Sequence, residues 1–206
     1  KGEVLRSNSF NKLAIADPKL APYGMAAMEV IQHLGVQANV VPKLVQGESI
    51  GQTYYRLIGA PDTLQEWRRG NGLDPTNPSL PPTNLATGEW TVAYYYNQAD
   101  LGFARRLSLR TLPGNDNKPN VAMEVTNFKT IEEARCNKAP LASVCMEYSS
   151  KGDIAQARYV KFYTYGGNGQ LLDRISLDGR SPKMMPNLCV VCHGGNTFGE
   201  SQNPNL

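Results

Sequence analysis

Residues 89–111 read EWTVAYYYNQADLGFARRLSLRT, and this stretch decides the fold class. Trp90–Tyr96 is dense in aromatic and β-branched residues, which suit a pleated strand. In the second half Leu101, Phe103, Leu107 and Leu109 share one parity, while Arg106 and Arg110 share the other. Side chains alternate across a strand, so this pattern predicts one apolar face and one wet face carrying the arginines. Downstream, PGNDNKPN at 113–120 is a turn-forming sequence, and VAMEVTNF at 121–128 returns as an antiparallel partner. Thr130 with Glu133 makes a capping box for a short helix over 131–137. SVCMEYS, ARYVKFYTY and GQLLDRIS predict three more strands, with GGNG at 166–169 as the last hairpin turn.

Upstream the signals change. PYGMAAMEVIQHL at 22–34 predicts a helix that starts on Pro22 and stops at Gly35, with Met25, Met28, Ile31 and Leu34 as its apolar stripe. A second, shorter helix is expected over 63–69, capped by Asp62 with Gln65 three residues on and ended by Gly70. ANVVPKLV and QTYYRLI read as further strands, the first weakened by Pro42. The Pro- and Asn-rich stretch from Asp74 to Asn84 reads either as a boundary or as a long surface loop. The expected fold class is α+β: mainly antiparallel β-sheet with a few short helices and a C-terminal haem-attachment turn. The expected organisation is one β-rich domain over 1–206, with an attachment segment at about 180–206 and an N-terminal helical portion over 1–84.

Composition bounds the function. Of the 206 residues 41% are hydrophobic and 19% charged, enough apolar material for a core. A net charge of +3 without a basic run gives no footprint for nucleic acid. No apolar stretch of about 18 residues is present to span a membrane. The polar start KGEVLRSNSF lacks a signal core, so an exported protein would already have lost its signal.

One motif carries chemistry. Residues 189–193 read Cys-Val-Val-Cys-His. Cys189 and Cys192 stand one helical turn apart, where two thiols can form thioethers to one porphyrin edge, and His193 follows as an iron ligand. Asn187 is a suitable N-cap for that turn and Gly194–Gly195 can end it. The expectation is one covalent haem c, attached outside the cytoplasm, in the periplasm or extracellularly. A redox dithiol or a zinc site completed by Cys136 and Cys145 are the rival readings. Because export permits disulfides, Cys136 and Cys145 are expected to pair; two buried thiols are the alternative.

The opposite face of the iron is open to several readings. His33 is the leading distal ligand, against a histidine that interacts with a helix dipole. Methionines and an unfilled site lined by tyrosines are the others. Arg180 and Lys183, just upstream, are candidates to neutralise haem propionates, or are ordinary solvated charges. Asp116, Asp173 and Asp178 read as turn formers.

A late CxxCH behind many strands resembles, in layout, the cytochrome P460 and cytochrome c′-beta group. That resemblance carries over to Cys189, Cys192 and His193 alone; the lysine that the P460 proteins cross-link to the haem is not assigned here, although Lys161 lies in a strand. It implies a β-sheet haem protein that binds small nitrogen species. Three functions follow: a monohaem cytochrome passing single electrons to a redox partner protein; a haem enzyme or gas-binding protein for peroxide, nitric oxide or hydroxylamine-like ligands; or the haem-bearing ectodomain of a larger assembly.

Overall fold

The computed structural model describes residues 3–7, 9–19, 22–47, 49–81, 88–99, 102–114, 118–150, 158–177 and 181–193. The chain divides into two compact units, Lys1–Ala60 with Lys151–Ala157, and Pro61–Ser150 with Arg158–Leu206.

The first unit runs α1 (Glu3–Arg6), β1 (Leu13–Ala16), α2 (Pro22–His33), α3 (Gln37–Val40), a 3-10 turn (Val41–Lys43), β2 (Leu44–Gly47) and α4 (Ile50–Ile58). β1 and β2 pair in parallel, Leu13 opposite Leu44 and Ala16 opposite Gly47. Parallel partners need a crossover, and α2 and α3 supply it. Ile31, Val36 and Val40 form the core, with Leu13, Met28 and Leu44 against it. The stripe expected on α2 is therefore only partly buried: Ile31 faces inward and Met25 is exposed.

Residues 52–58, expected as a strand, are helical. The caps override the β-rich composition: Ser49 Oγ accepts from the Gln52 amide at 3.1 Å, and Gly59 closes the helix in the left-handed conformation. Gly51, Tyr54, Tyr55 and Ile58 lie on one buried face, the i, i+3, i+4, i+7 pattern of a helix. In ANVVPKLV the strand begins only after Pro42, which sits in the 3-10 turn.

The second unit contains α5 (Leu64–Gly70), β3 (Trp90–Asn97), β4 (Phe103–Pro113), β5 (Pro119–Phe128), α6 (Ile131–Arg135), β6 (Ala142–Ser149), β7 (Tyr159–Gly166), β8 (Arg174–Ile175), β9 (Lys183–Met184) and α7 (Asn187–His193). β3 to β7 form one antiparallel meander in sequence order. The expected α+β class with a mainly antiparallel sheet and short helices is what the structure has. GQLLDRIS contributes only the two residues of β8. The N-cap of α5 is Thr63, in a reciprocal box with Glu66, where Asp62 and Gln65 had been expected. Thr130 and Glu133 cap α6 as expected.

The faces of this sheet reverse the expectation. Arg106 and Arg110 are 0% and 1% exposed, whereas Leu107 and Leu109 are only half-buried. α5 supplies Arg68 above the arginine row and buries Trp67 against Tyr163, ring centroids 6.0 Å apart. Replacing Trp67 with Ala is expected to cost about 3–5 kcal/mol, the usual penalty for emptying such a site. Urea unfolding followed by circular dichroism of the sheet measures it; a loss under about 1 kcal/mol would show that α5 is not part of the core.

Candidate functional site

In the first unit, both β-strands run into helices at their C-terminal ends. β1 leads through a turn into α2, and β2 leads through residues 48–49 into α4. The amide of Asp17 donates to Gly47 O at 2.9 Å, tying the two strand exits together. Asp17 Oδ1 accepts from the Lys19 amide at 2.8 Å and shapes the first turn. Thr53 Oγ1 donates to Ser49 O at 2.9 Å and to Ile15 O at 3.4 Å, fastening α4 to β1.

Two glycines permit this closeness. A Cβ on Gly24 would lie 2.3 Å from Ala16 O, and one on Gly47 would lie 2.5 Å from the Thr53 amide nitrogen. The first turns of α2 and α4 thus begin at one edge of the parallel pair. Amides in a helix's first turn have no carbonyl within the helix to bond, and they attract negative charge. Tyr23 and Ile50, in these first turns, are 83% and 63% exposed. The edges of parallel strands followed by helix starts are where α/β proteins hold ligands, anions in particular. Pro22 and α2 are legible in the sequence, but the site is not, because the composition of residues 52–58 suggests a strand. Ser49 with Gly59 was the available signal.

The second unit holds a buried charge cluster. Arg68 donates to Glu124 through Nε at 2.7 Å and Nη2 at 2.6 Å. Arg106 Nη2 reaches the same carboxylate at 3.2 Å, and its Nη1 donates to Asn137 Oδ1 at 2.6 Å. Thr126 Oγ1 donates to Glu124 Oε1 at 2.6 Å. Burial alone would push the Glu124 carboxyl up, but Arg68, Arg106 and Thr126 together hold it below the usual glutamate range.

The residues singled out in the sequence are distributed as follows. Cys189 is 5% exposed in α7, its thiol pointing at Met185 Sδ 4.0 Å away, and Thr164 Oγ1 donates to the same sulfur at 3.2 Å. Cys192 belongs to α7 as well. His193 is exposed beside Phe162, ring centroids 6.1 Å apart. His33 ends α2 in the first unit and is exposed. Lys183 is half-buried on β9; Arg180, Asp116 and Asp178 lie outside the described residues. The expected Cys136–Cys145 disulfide is not formed. Cys136 is exposed at the end of α6, whereas Cys145 is buried on β6 opposite Glu124. Burial, reinforced by Glu124, pushes the Cys145 thiol well up, so it stays protonated. No group of three or more His, Cys, Asp or Glu residues suited to a metal occurs among the described residues.

Residues 3–72 match the family of bacterial extracellular solute-binding proteins. The matched stretch includes most of the first unit and the start of the second. The molybdate-binding protein ModA of Rhodobacter capsulatus is 57% identical over 54 residues, covering 26% of this chain and 21% of the relative. ModA of Azotobacter vinelandii is 48% identical over 54 residues, with the same coverage. The chain spans about a fifth of the length of these curated relatives. No solved structure matches it.

These matches correct the reading as a c-type cytochrome. The similarity is to proteins that bind a solute, which overturns haem c, single-electron transfer to a redox partner, the haem-enzyme or gas-binding alternative, the haem-bearing ectodomain and the likeness to the cytochrome P460 and cytochrome c′-beta group. The inward-turned Cys189 fits a packed helix end better than an attachment turn, and the haem-attachment turn drops out of the fold description. The expected periplasmic or extracellular location is borne out by the family match. No helix among the described residues is long and apolar enough to cross a membrane.

Proposed function

We propose that the first unit contributes one wall of an oxyanion-binding site, with molybdate as the ligand class suggested by its ModA relatives. The observation that carries this reading is the shared edge of β1 and β2 where α2 and α4 begin. First-turn amides of both helices supply neutral hydrogen-bond donors and partial positive charge. Such donors suit a tetrahedral dianion that must be bound tightly and released unchanged, because they bring no full charge to be neutralised. The Ser49 side chain is already engaged with the Gln52 amide, leaving the earlier amides of α4 for a ligand. The exposed Tyr23 ring can close over the bound ion.

Isothermal titration calorimetry of the full chain with sodium molybdate tests the reading. Saturable one-to-one binding is the expected result, and tungstate, of the same shape and charge, should compete. Heats no larger than dilution at millimolar molybdate would overturn it.

A further inference from the structure

The antiparallel sheet of the second unit has two rims, β3 and β7. β7 is partly covered. Leu172 N donates to Thr164 O at 2.8 Å and Gly166 N to Gln170 O at 2.9 Å, so the returning chain lies along its outer side. Among the described residues β3 pairs with β4 alone. Sheet edges are ordinarily protected by short strands, charged side chains, proline or bulges. β3 has none of these. It is eight residues long, WTVAYYYN, with no charged residue and no proline. Its register with β4 runs unbroken from Trp90 opposite Arg110 to Asn97 opposite Phe103. Thr91 and Ala93 are exposed, and Tyr95 and Tyr96 are 37% and 51% exposed.

The phase of the hydrogen bonds fixes what this edge offers. The Thr111 amide donates to Glu89 O at 2.9 Å, one step outside the pair of Trp90 and Arg110. In an antiparallel ladder, bonded pairs alternate with unbonded ones. The odd-numbered residues of β3 therefore bond β4, and the N–H and C=O groups of Trp90, Val92, Tyr94 and Tyr96 point outward. The neighbouring ladder agrees: the Gly114 amide donates to Lys118 O at 3.0 Å, so the even-numbered residues of β4 turn to β5.

We propose that β3 is a dimer edge, which pairs antiparallel with β3 of a second copy around a twofold axis at Ala93. Directly opposed residues in such a pair share a face, and centring on Ala93 uses nearly the whole strand. Trp90 then lies opposite Tyr96 of the second copy, Thr91 opposite Tyr95, and Val92 opposite Tyr94. The outward-pointing residues of the two copies meet one another and exchange about eight backbone bonds. Each pair off the axis joins an aromatic residue to an aromatic or β-branched one, combinations that stabilise sheets. At the next step Glu89 meets Asn97, so no like charges oppose each other. The strand thus matches itself, which favours a second copy over a foreign strand. With the β7 rim partly covered, the pairing closes at two copies. The edge belongs to the second unit and is independent of oxyanion binding by the first.

Sedimentation velocity of the full chain tests the proposal. A pairing of this modest size should give a reversible dimer with a dissociation constant of about 1–100 μM. Ala93→Lys sets two ammonium groups across the axis, and Ala93→Glu sets two carboxylates there. Each should weaken the dimer about tenfold or more, and mixing the two variants should restore it, because opposite charges then meet. Val92→Pro removes one outward amide and leaves the β4 ladder whole, so it should give a monomer with an unchanged circular dichroism spectrum. A wild-type monomer up to about 300 μM, well above the expected constant, would overturn the proposal. So would a dimer that survives Ala93→Lys, or a mixture of the two Ala93 variants no more dimeric than either alone.

Discussion

Replacing Glu124 with Gln is expected to destabilise the second unit by about 3–5 kcal/mol, the penalty for breaking a buried ion pair from one side. Glu124 is 0% exposed and receives two bonds from Arg68 and one from Arg106. Glutamine keeps the shape but removes the charge, and leaves two guanidiniums buried without their counter-ion. The capping box of α5 provides the contrast. Glu66→Gln changes an exposed side chain that bonds one backbone amide, and about 1 kcal/mol is the most it should cost. Urea denaturation of both variants measures the difference; equal losses would mean that the Glu124 cluster adds nothing beyond ordinary surface contacts.

The same carboxylate gives the acid limb of stability its sign. Its folded-state pKa lies below the ordinary glutamate value because the arginines outweigh the burial. Its contribution is therefore complete above about pH 4.5, the unfolded value, and is lost as pH falls through the depressed folded one. The wild-type chain should lose stability in that acid window more steeply than Glu124→Gln, which has no carboxyl to protonate there.

Gly24→Ala is expected to weaken molybdate binding by the first unit at least tenfold, about 1.4 kcal/mol or more, and to destabilise the chain by about 1–3 kcal/mol. Helix propensity alone favours alanine over glycine by about 1 kcal/mol, so the opposite sign is informative. The new Cβ would meet Ala16 O at 2.3 Å and Asp17 C and Pro18 N at 2.7 Å, all backbone atoms that cannot swing aside. The start of α2 must then move away from β1 and carry its amides with it. Calorimetry with molybdate, alongside a melting curve, reads both effects. A fully stable variant that binds as well as the wild type would show that the α2 start is not part of the site.

The meander was legible in the sequence because its signals are local: alternation in Leu101–Thr111, turn residues at 113–120 and the Thr130–Glu133 box. Its inside and outside were not. Alternation separates two faces without saying which is covered, and charged residues ordinarily face water. The deciding partner, Glu124, is 18 residues from Arg106, and Arg68 is 56 residues from Glu124, separations that no local pattern reports. Glu147 on β6, which accepts from Asn71 Nδ2 at 3.0 Å, is a second sheet carboxylate turned toward the segment that ends α5. In the first unit, the tyrosines and threonine of residues 52–58 suggest a strand, while Ser49 and Gly59 outside the segment fix a helix. The Cys189–His193 pentapeptide dominated the functional reading, yet the similarity to known proteins lies at the other end of the chain, in residues 3–72.

The reversed sheet also proofreads its own assembly. A strand that pairs one residue out of step turns every side chain to the other face. In most sheets such an error exchanges greasy residues for polar ones and is punished only by lost burial. Here it would pull Arg106 away from Glu124 and Asn137 and present Leu107 to Arg68. The mistaken pairing would strand a buried carboxylate with a single cation and close no network. Charges in the interior thus act as a keyed joint, which assembles in one alignment and rejects its near neighbours.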